Sequence, residues 1–164
     1  MKRKTAYIGV FTAMAVVLGY VESLMPVFVG IPGIKLGLAN MAVISLLYFV
    51  GFREAMLVSV IRVLIIGALF GNMYSTLYSM CGAVVSLLVM VLLKRTKKFS
   101  IYGVSVAGGV SHNLAQIAVA ALITQMYRIW YYVPVLLISG IVTGLVIGLL
   151  GGLITKRLGG MIEI

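Results

Sequence analysis

Six long apolar runs separated by short gaps dominate this sequence, and the placement of its charges fixes how those runs must lie. Nearly all of the thirteen Lys and Arg residues fall in the gaps, mostly in every second gap. A chain threaded repeatedly through a bilayer carries this pattern, because loops on the cytoplasmic side hold the excess of positive charge. Arg62 is an exception: it lies inside an apolar run. A lone charge is costly in hydrocarbon, so Arg62 is the first pointer to function.

Composition agrees with a membrane solvent. The chain of 164 residues is 63% hydrophobic, whereas a soluble domain is about half apolar. One helical span takes roughly 20 residues, which leaves room for about six spans and no separate catalytic domain. Residues 1–164 therefore read as a single polytopic membrane domain. The net charge of +10 forms no single face or stripe, which argues against nucleic acid as a partner. Cys81 is the one cysteine, so neither an internal disulfide nor a thiolate metal cluster can form. The first run follows a basic start as a signal peptide does. It lacks a small-residue cleavage site in the right place and continues through Tyr20 and Glu22, so it reads as a retained first helix.

The runs cover about residues 5–23, 36–50, 55–70, 73–93, 101–126 and 133–155. They are continuous rather than alternating, which implies helices and not a barrel. The predicted fold is an all-α bundle of six transmembrane helices. With the N-terminus inside, the inner segments hold Lys2, Arg3, Lys4, Arg53, Lys94, Arg95, Lys97, Lys98, Lys156 and Arg157, while the outer ones hold Lys35 and Arg128. That split places both termini inside. Trp130, Tyr131 and Tyr132 suit an outer aromatic belt. The longest outer loop, Leu24 to Lys35, is apolar and carries two prolines and two glycines, and is expected to fold back over the bundle as a lid.

Small residues recur every four positions. Gly140, Gly144, Gly148 and Gly152 form a ridge on the sixth helix, and Gly103, Ala107, Ser111 and Ala115 one on the fifth. Such ridges let helices approach closely and are expected to pack within the chain. On the first helix Thr5, Gly9 and Ala13, with Ala15 and Gly19 beside them, offer a patch to which a partner membrane subunit can dock.

The polar residues of the runs form the candidate site. Arg62 lies about 12 Å from the inner surface at about 1.5 Å per residue. His112, Asn113 and Gln116 fall at a similar depth on the fifth helix, with spacings that allow one broad face. Asn40, Asn72 and Lys35 stand near the outer mouth. The chain has three acids, Glu22, Glu54 and Glu163, and no aspartate. None is expected at the depth of Arg62, so a ligand bearing a carboxylate, phosphate or carbonyl oxygen is expected to pair with it.

Catalysis by this chain is not expected. Without aspartate there is no diphosphate-binding, magnesium-holding motif of the usual prenyl-transfer kind. No phosphate-binding loop is present, one His cannot close a metal site, and no buried acid completes a serine triad. No cofactor or metal is implied.

Three ordered motifs carry a family resemblance: Ile31-Pro-Gly-Ile-Lys-Leu-Gly-Leu-Ala-Asn40; Gly51-Phe-Arg-Glu-Ala55 followed by Arg62; and Phe99-Ser-Ile-Tyr-Gly-Val-Ser105 followed by Ser111-His-Asn-Leu-Ala-Gln116. Over about residues 5–157 the chain resembles the membrane family described both as heptaprenyl diphosphate synthase component I and as Gx transporter. That family is similar to the substrate-binding S-components of energy-coupling factor (ECF) transporters. The resemblance implies a multi-pass protein of a prokaryotic cell membrane. It implies an outward pocket roofed by the loop between the first two helices, and docking of the first helix on a transmembrane coupling protein that carries ATPases. Gly9 and Ala13 stand where that docking motif usually has two alanines. The leading expectation is a substrate-binding subunit for ATP-driven uptake of a small organic molecule. The alternative is a non-catalytic membrane subunit in prenyl-lipid or quinone metabolism, or in flavin-linked electron transfer. A homo-oligomeric channel is a third reading.

Overall fold

The structure, a computed structural model, describes residues 2–24 and 37–159. Six α-helices make up almost all of it: α1 Lys2–Leu24, α2 Leu38–Phe49, α3 Phe52–Phe70, α4 Met73–Thr96, α5 Ile101–Thr124 and α6 Val133–Gly159, with a 3-10 turn at Tyr127–Tyr132 before α6. The expected all-helical architecture is present, and no strand occurs among the described residues. The proposed lid and Lys35 lie outside the described residues.

Four helical segments, Thr5–Leu24, Met73–Thr96, Ile101–Thr124 and Tyr127–Arg157, are long and apolar enough to cross a membrane, as a multi-pass membrane protein requires. The other two helices differ from the sequence expectation. α3 begins at Phe52, so Arg53 and Glu54 form its first turn rather than a loop, and Glu54 suits the positive end of the helix dipole. α2 has only 12 residues, about 18 Å at 1.5 Å per residue against about 30 Å of hydrocarbon. It does not cross alone. Seven of its residues, from Ala39 to Leu47, are buried, which makes this short helix the centre of the bundle.

Packed neighbours joined by connections of a few residues run antiparallel. α2 contacts α3 and α6; α3 contacts α4, α4 contacts α5, and α5 contacts α6, while α1 lies against α2 and α3. Phe11 and Ala15 of α1 meet Ala42 and Leu46 of α2 and Val58 of α3. A second cluster joins Ile44 and Leu47 to Leu87, Val104 and Ile147, one residue or more from each of α2, α4, α5 and α6. Lipid is as apolar as leucine, so close packing rather than water exclusion holds such helices together.

The α5–α6 pair shows that packing most clearly. A methyl group at Gly144 would stand 2.7 Å from the Val106 Cα, and one at Gly109 would stand 2.5 Å from the Gly140 carbonyl oxygen. The α6 ridge packs within the chain as expected. The expected α5 ridge is not its counterpart: Gly140, Gly144 and Gly148 meet Tyr102, Ser105, Val106, Gly109 and Val110, and Gly103 faces only Phe99 and Ser100 of its own helix start. The opposite face of α6, Ile138, Val142, Leu145, Leu149 and Leu153, is exposed and suits lipid.

Candidate functional site

The short helix α2 builds the site by ending inside the bundle. Asn40 lies nine residues above its end at Phe49, about 14 Å, and Arg62 lies ten residues above the start of α3 at Phe52, about 15 Å. The two residues therefore face each other at one level. Arg62 donates from Nη2 to Asn40 Oδ1 at 2.6 Å. The guanidinium is buried, and its Nε has no hydrogen-bond partner among the described residues.

The N-terminus of α2 is held as well. Gly37 caps it with φ of 73°, a left-handed conformation that glycine adopts without strain. The Gly37 amide donates to the Glu22 carboxylate, which places negative charge at the positive end of the helix. Glu22 also attracts Arg62 through space. This corrects the expectation that no carboxylate would lie near Arg62. Counting residues from the membrane surface misses this through-space attraction, because it does not show that the short α2 brings Gly37, and Glu22 bonded to it, to the level of Asn40.

A third charge closes the other end of α2. Lys94 Nζ donates to the Leu47 carbonyl at 2.6 Å and lies 4.6 Å from the centre of the Tyr48 ring. A cation at a helix C-terminus is favourable, and the ring adds a cation–π contact. The sequence marks Lys94 only as one charge of a basic loop, so nothing in it signals this role.

The α5 residues do not share one face. His112 and Gln116 pack on Gly82 of α4, where an added methyl would stand 2.7 Å from Gln116 Cγ and 3.1 Å from His112 Cε1. Gln116, itself buried, reaches Ser79 at 3.5 Å. Asn113 instead donates to the Leu136 carbonyl at 2.8 Å and to Ser139 at 3.1 Å, both on α6. Adjacent helical residues project about 100° apart, so 112 and 113 straddle the line between two neighbours. Arg62, His112 with Gln116, and Asn113 thus serve three different junctions.

Asn72 is the N-cap of α4: it accepts from the Ser75 amide at 2.8 Å and Ser75 bonds back. This capping box accounts for its polarity. Thr5, Gly9 and Ala13 lie together on the exposed face of α1, with open space beside Gly9, whereas Ala15 is buried and Gly19 abuts Ile66 of α3.

A hollow of about 20 Å³ adjoins Asn40 and is lined also by Ser86, Ser105, Gly108, Thr143 and Gly144. Its size matches one water molecule. Sequence reasoning missed these hydroxyls. The available signal was that Ser105 and Gly108 stand three apart on α5 and Gly144 lies in the α6 glycine ridge, which leaves space as well as permitting contact.

Compared with curated proteins and with solved structures, the chain has no match. One family profile does match it, over residues 11–154. The chain belongs to the family described as heptaprenyl diphosphate synthase component I.

Proposed function

We propose that the chain is a non-catalytic, substrate-binding membrane subunit, a six-helix bundle with both termini in the cytoplasm of a prokaryotic cell, in which the short α2 is seated within the bundle rather than spanning the bilayer by its own length. Its site is the junction of Arg62, Asn40 and the N-terminus of α2. The observation that carries the reading is the buried Arg62 guanidinium, which spends one donor on Asn40 and keeps Nε without a partner among the described residues. A buried donor of this kind favours an incoming acceptor. The ligand is a small organic molecule that offers a carboxylate or carbonyl oxygen. Because Glu22 offsets part of the charge of Arg62, a neutral carbonyl oxygen suits the site as well as a carboxylate. The water-sized hollow behind Asn40 then corresponds to the closed, ligand-free arrangement, and α2 must shift to admit a guest.

In this reading the exposed face of Thr5, Gly9 and Ala13 docks a coupling protein with paired ATPases, as the similarity to S-components implies. The test is gentle purification followed by native mass spectrometry and extraction of retained small molecules. The wild-type chain keeps a ligand, and Arg62→Gln loses it; equal retention by the two chains refutes the site. The description of the family supports a second reading, a membrane subunit that associates with a prenyl-transfer enzyme. Co-purification of that enzyme, rather than of ATPases, selects it.

A further inference from the structure

The 3-10 turn Tyr127–Tyr132 belongs to none of the junctions above, yet it is the most aromatic stretch of the chain. None of its six residues is buried. Tyr127 is 80% and Tyr131 85% exposed, and Trp130 is 46% exposed. With Arg128 these three rings line an open cleft of about 390 Å³. A water-facing loop gains nothing from such rings, whereas Trp and Tyr favour the level of lipid headgroups, where an apolar body and a polar tip are both satisfied.

The height of the turn agrees. Val133 begins α6 and Lys156 and Arg157 lie in its last turn, a separation of about 35 Å at 1.5 Å per residue, close to the thickness of the hydrocarbon. The basic end of α6 at one surface sets the turn at the other. Arg128 is exposed beside these rings and offers its charge to an anionic group at that level. Glu22 is engaged at Gly37, and Glu54 sits in the first turn of α3, at the opposite end of the antiparallel bundle. The counter-charge is best supplied by the membrane, whose headgroups carry phosphate at that depth.

We propose that the Tyr127–Tyr132 turn is a phospholipid headgroup site, in which Arg128 binds the phosphate and Tyr127, Trp130 and Tyr131 hold the glycerol and upper acyl region. The site fixes the height and tilt of the closely packed α5–α6 pair.

Trp130 is the only tryptophan, so its fluorescence reports on this turn alone. The full chain is reconstituted in vesicles of phosphatidylglycerol and phosphatidylcholine that carry nitroxide-labelled lipid at shallow or deep positions. Wild-type Trp130 is quenched most by the shallow label and little by aqueous iodide. Arg128→Gln, a change at an exposed residue, weakens retention of one phospholipid in native mass spectrometry about fivefold and lowers the shallow quenching. Three results overturn the proposal: quenching by iodide without quenching by lipid; shallow quenching and lipid retention equal in Arg128→Gln and wild type, which reduces the turn to an unspecific belt; and displacement of the retained lipid by inorganic phosphate, which makes the site one for a free anion.

Discussion

Removing the guanidinium of Arg62 tests the electrostatic core of the structure directly. Arg62→Met keeps an apolar stem but deletes the bond to Asn40, which is made at 2.6 Å by a charged donor. Such a bond contributes about 1.5–3 kcal/mol, and breaking a buried charge pair costs about 3–5 kcal/mol when the partner is left in place. Glu22 is only half-buried and keeps the Gly37 amide, so the total for Arg62→Met is about 2–4 kcal/mol. Glu22→Gln retains an acceptor for that amide but removes the charge, at a cost of about 1–2 kcal/mol. If Glu22 and Arg62 act on each other, the double variant loses less than the sum, by about 1–2 kcal/mol. Equilibrium unfolding in mixed dodecyl maltoside and SDS micelles, read by far-ultraviolet circular dichroism of the helices, measures all four corners. Additivity within about 0.5 kcal/mol refutes the coupling, and with it the view that Glu22 neutralises the site.

Two other substitutions probe how the site is framed. Lys94→Met removes the cap on Leu47 and the contact with Tyr48; the expected loss is about 1–2 kcal/mol, with amide exchange in the last turn of α2 accelerated more than elsewhere, and uniform exchange refutes a local cap. Gly144→Ala places a methyl 2.7 Å from the Val106 Cα, which forces α5 and α6 apart and costs about 1–3 kcal/mol; an unchanged melting temperature refutes the backbone-to-backbone packing.

The sequence exposed some levels of this molecule and hid others. The apolar runs announced the helices, because run length and continuity report directly on a lipid solvent, and the ridge at Gly140, Gly144 and Gly148 announced a close contact. Its counterpart on α5 was missed: Gly103, Ala107 and Ser111 have the right spacing, but spacing does not tell which face of a helix a neighbour occupies. The same ambiguity hid the division of His112, Asn113 and Gln116 between α4 and α6. The unusual position of Arg62 was legible because charge inside an apolar run is rare, and the structure buries it. Its partners were not, since Glu22 and Asn40 are brought near it by the placement of α2, whose 12 residues from Leu38 to Phe49 are buried at the centre of the bundle, where run length alone suggested an ordinary span.

The half-length of α2 has a mechanical consequence. Each end of this helix is tied by a charged side chain of opposite sign on a different helix, Glu22 of α1 at the N-terminus and Lys94 of α4 at the C-terminus, and Arg62 of α3 grips its first turn. α5 and α6 are joined by the neutral Asn113 bonds to Leu136 and Ser139 and otherwise meet along glycine backbones that leave little freedom to slide. Polar ties can be exchanged one for one: a ligand oxygen that accepts from Arg62 releases Asn40, and with it the first turn of α2, without exposing an unsatisfied donor. α1 shares the Glu22 tie and carries the exposed Thr5, Gly9 and Ala13 on its outer face. A change at Arg62 therefore has a short physical path, through Glu22 and one helix, to the surface where a partner is proposed to dock.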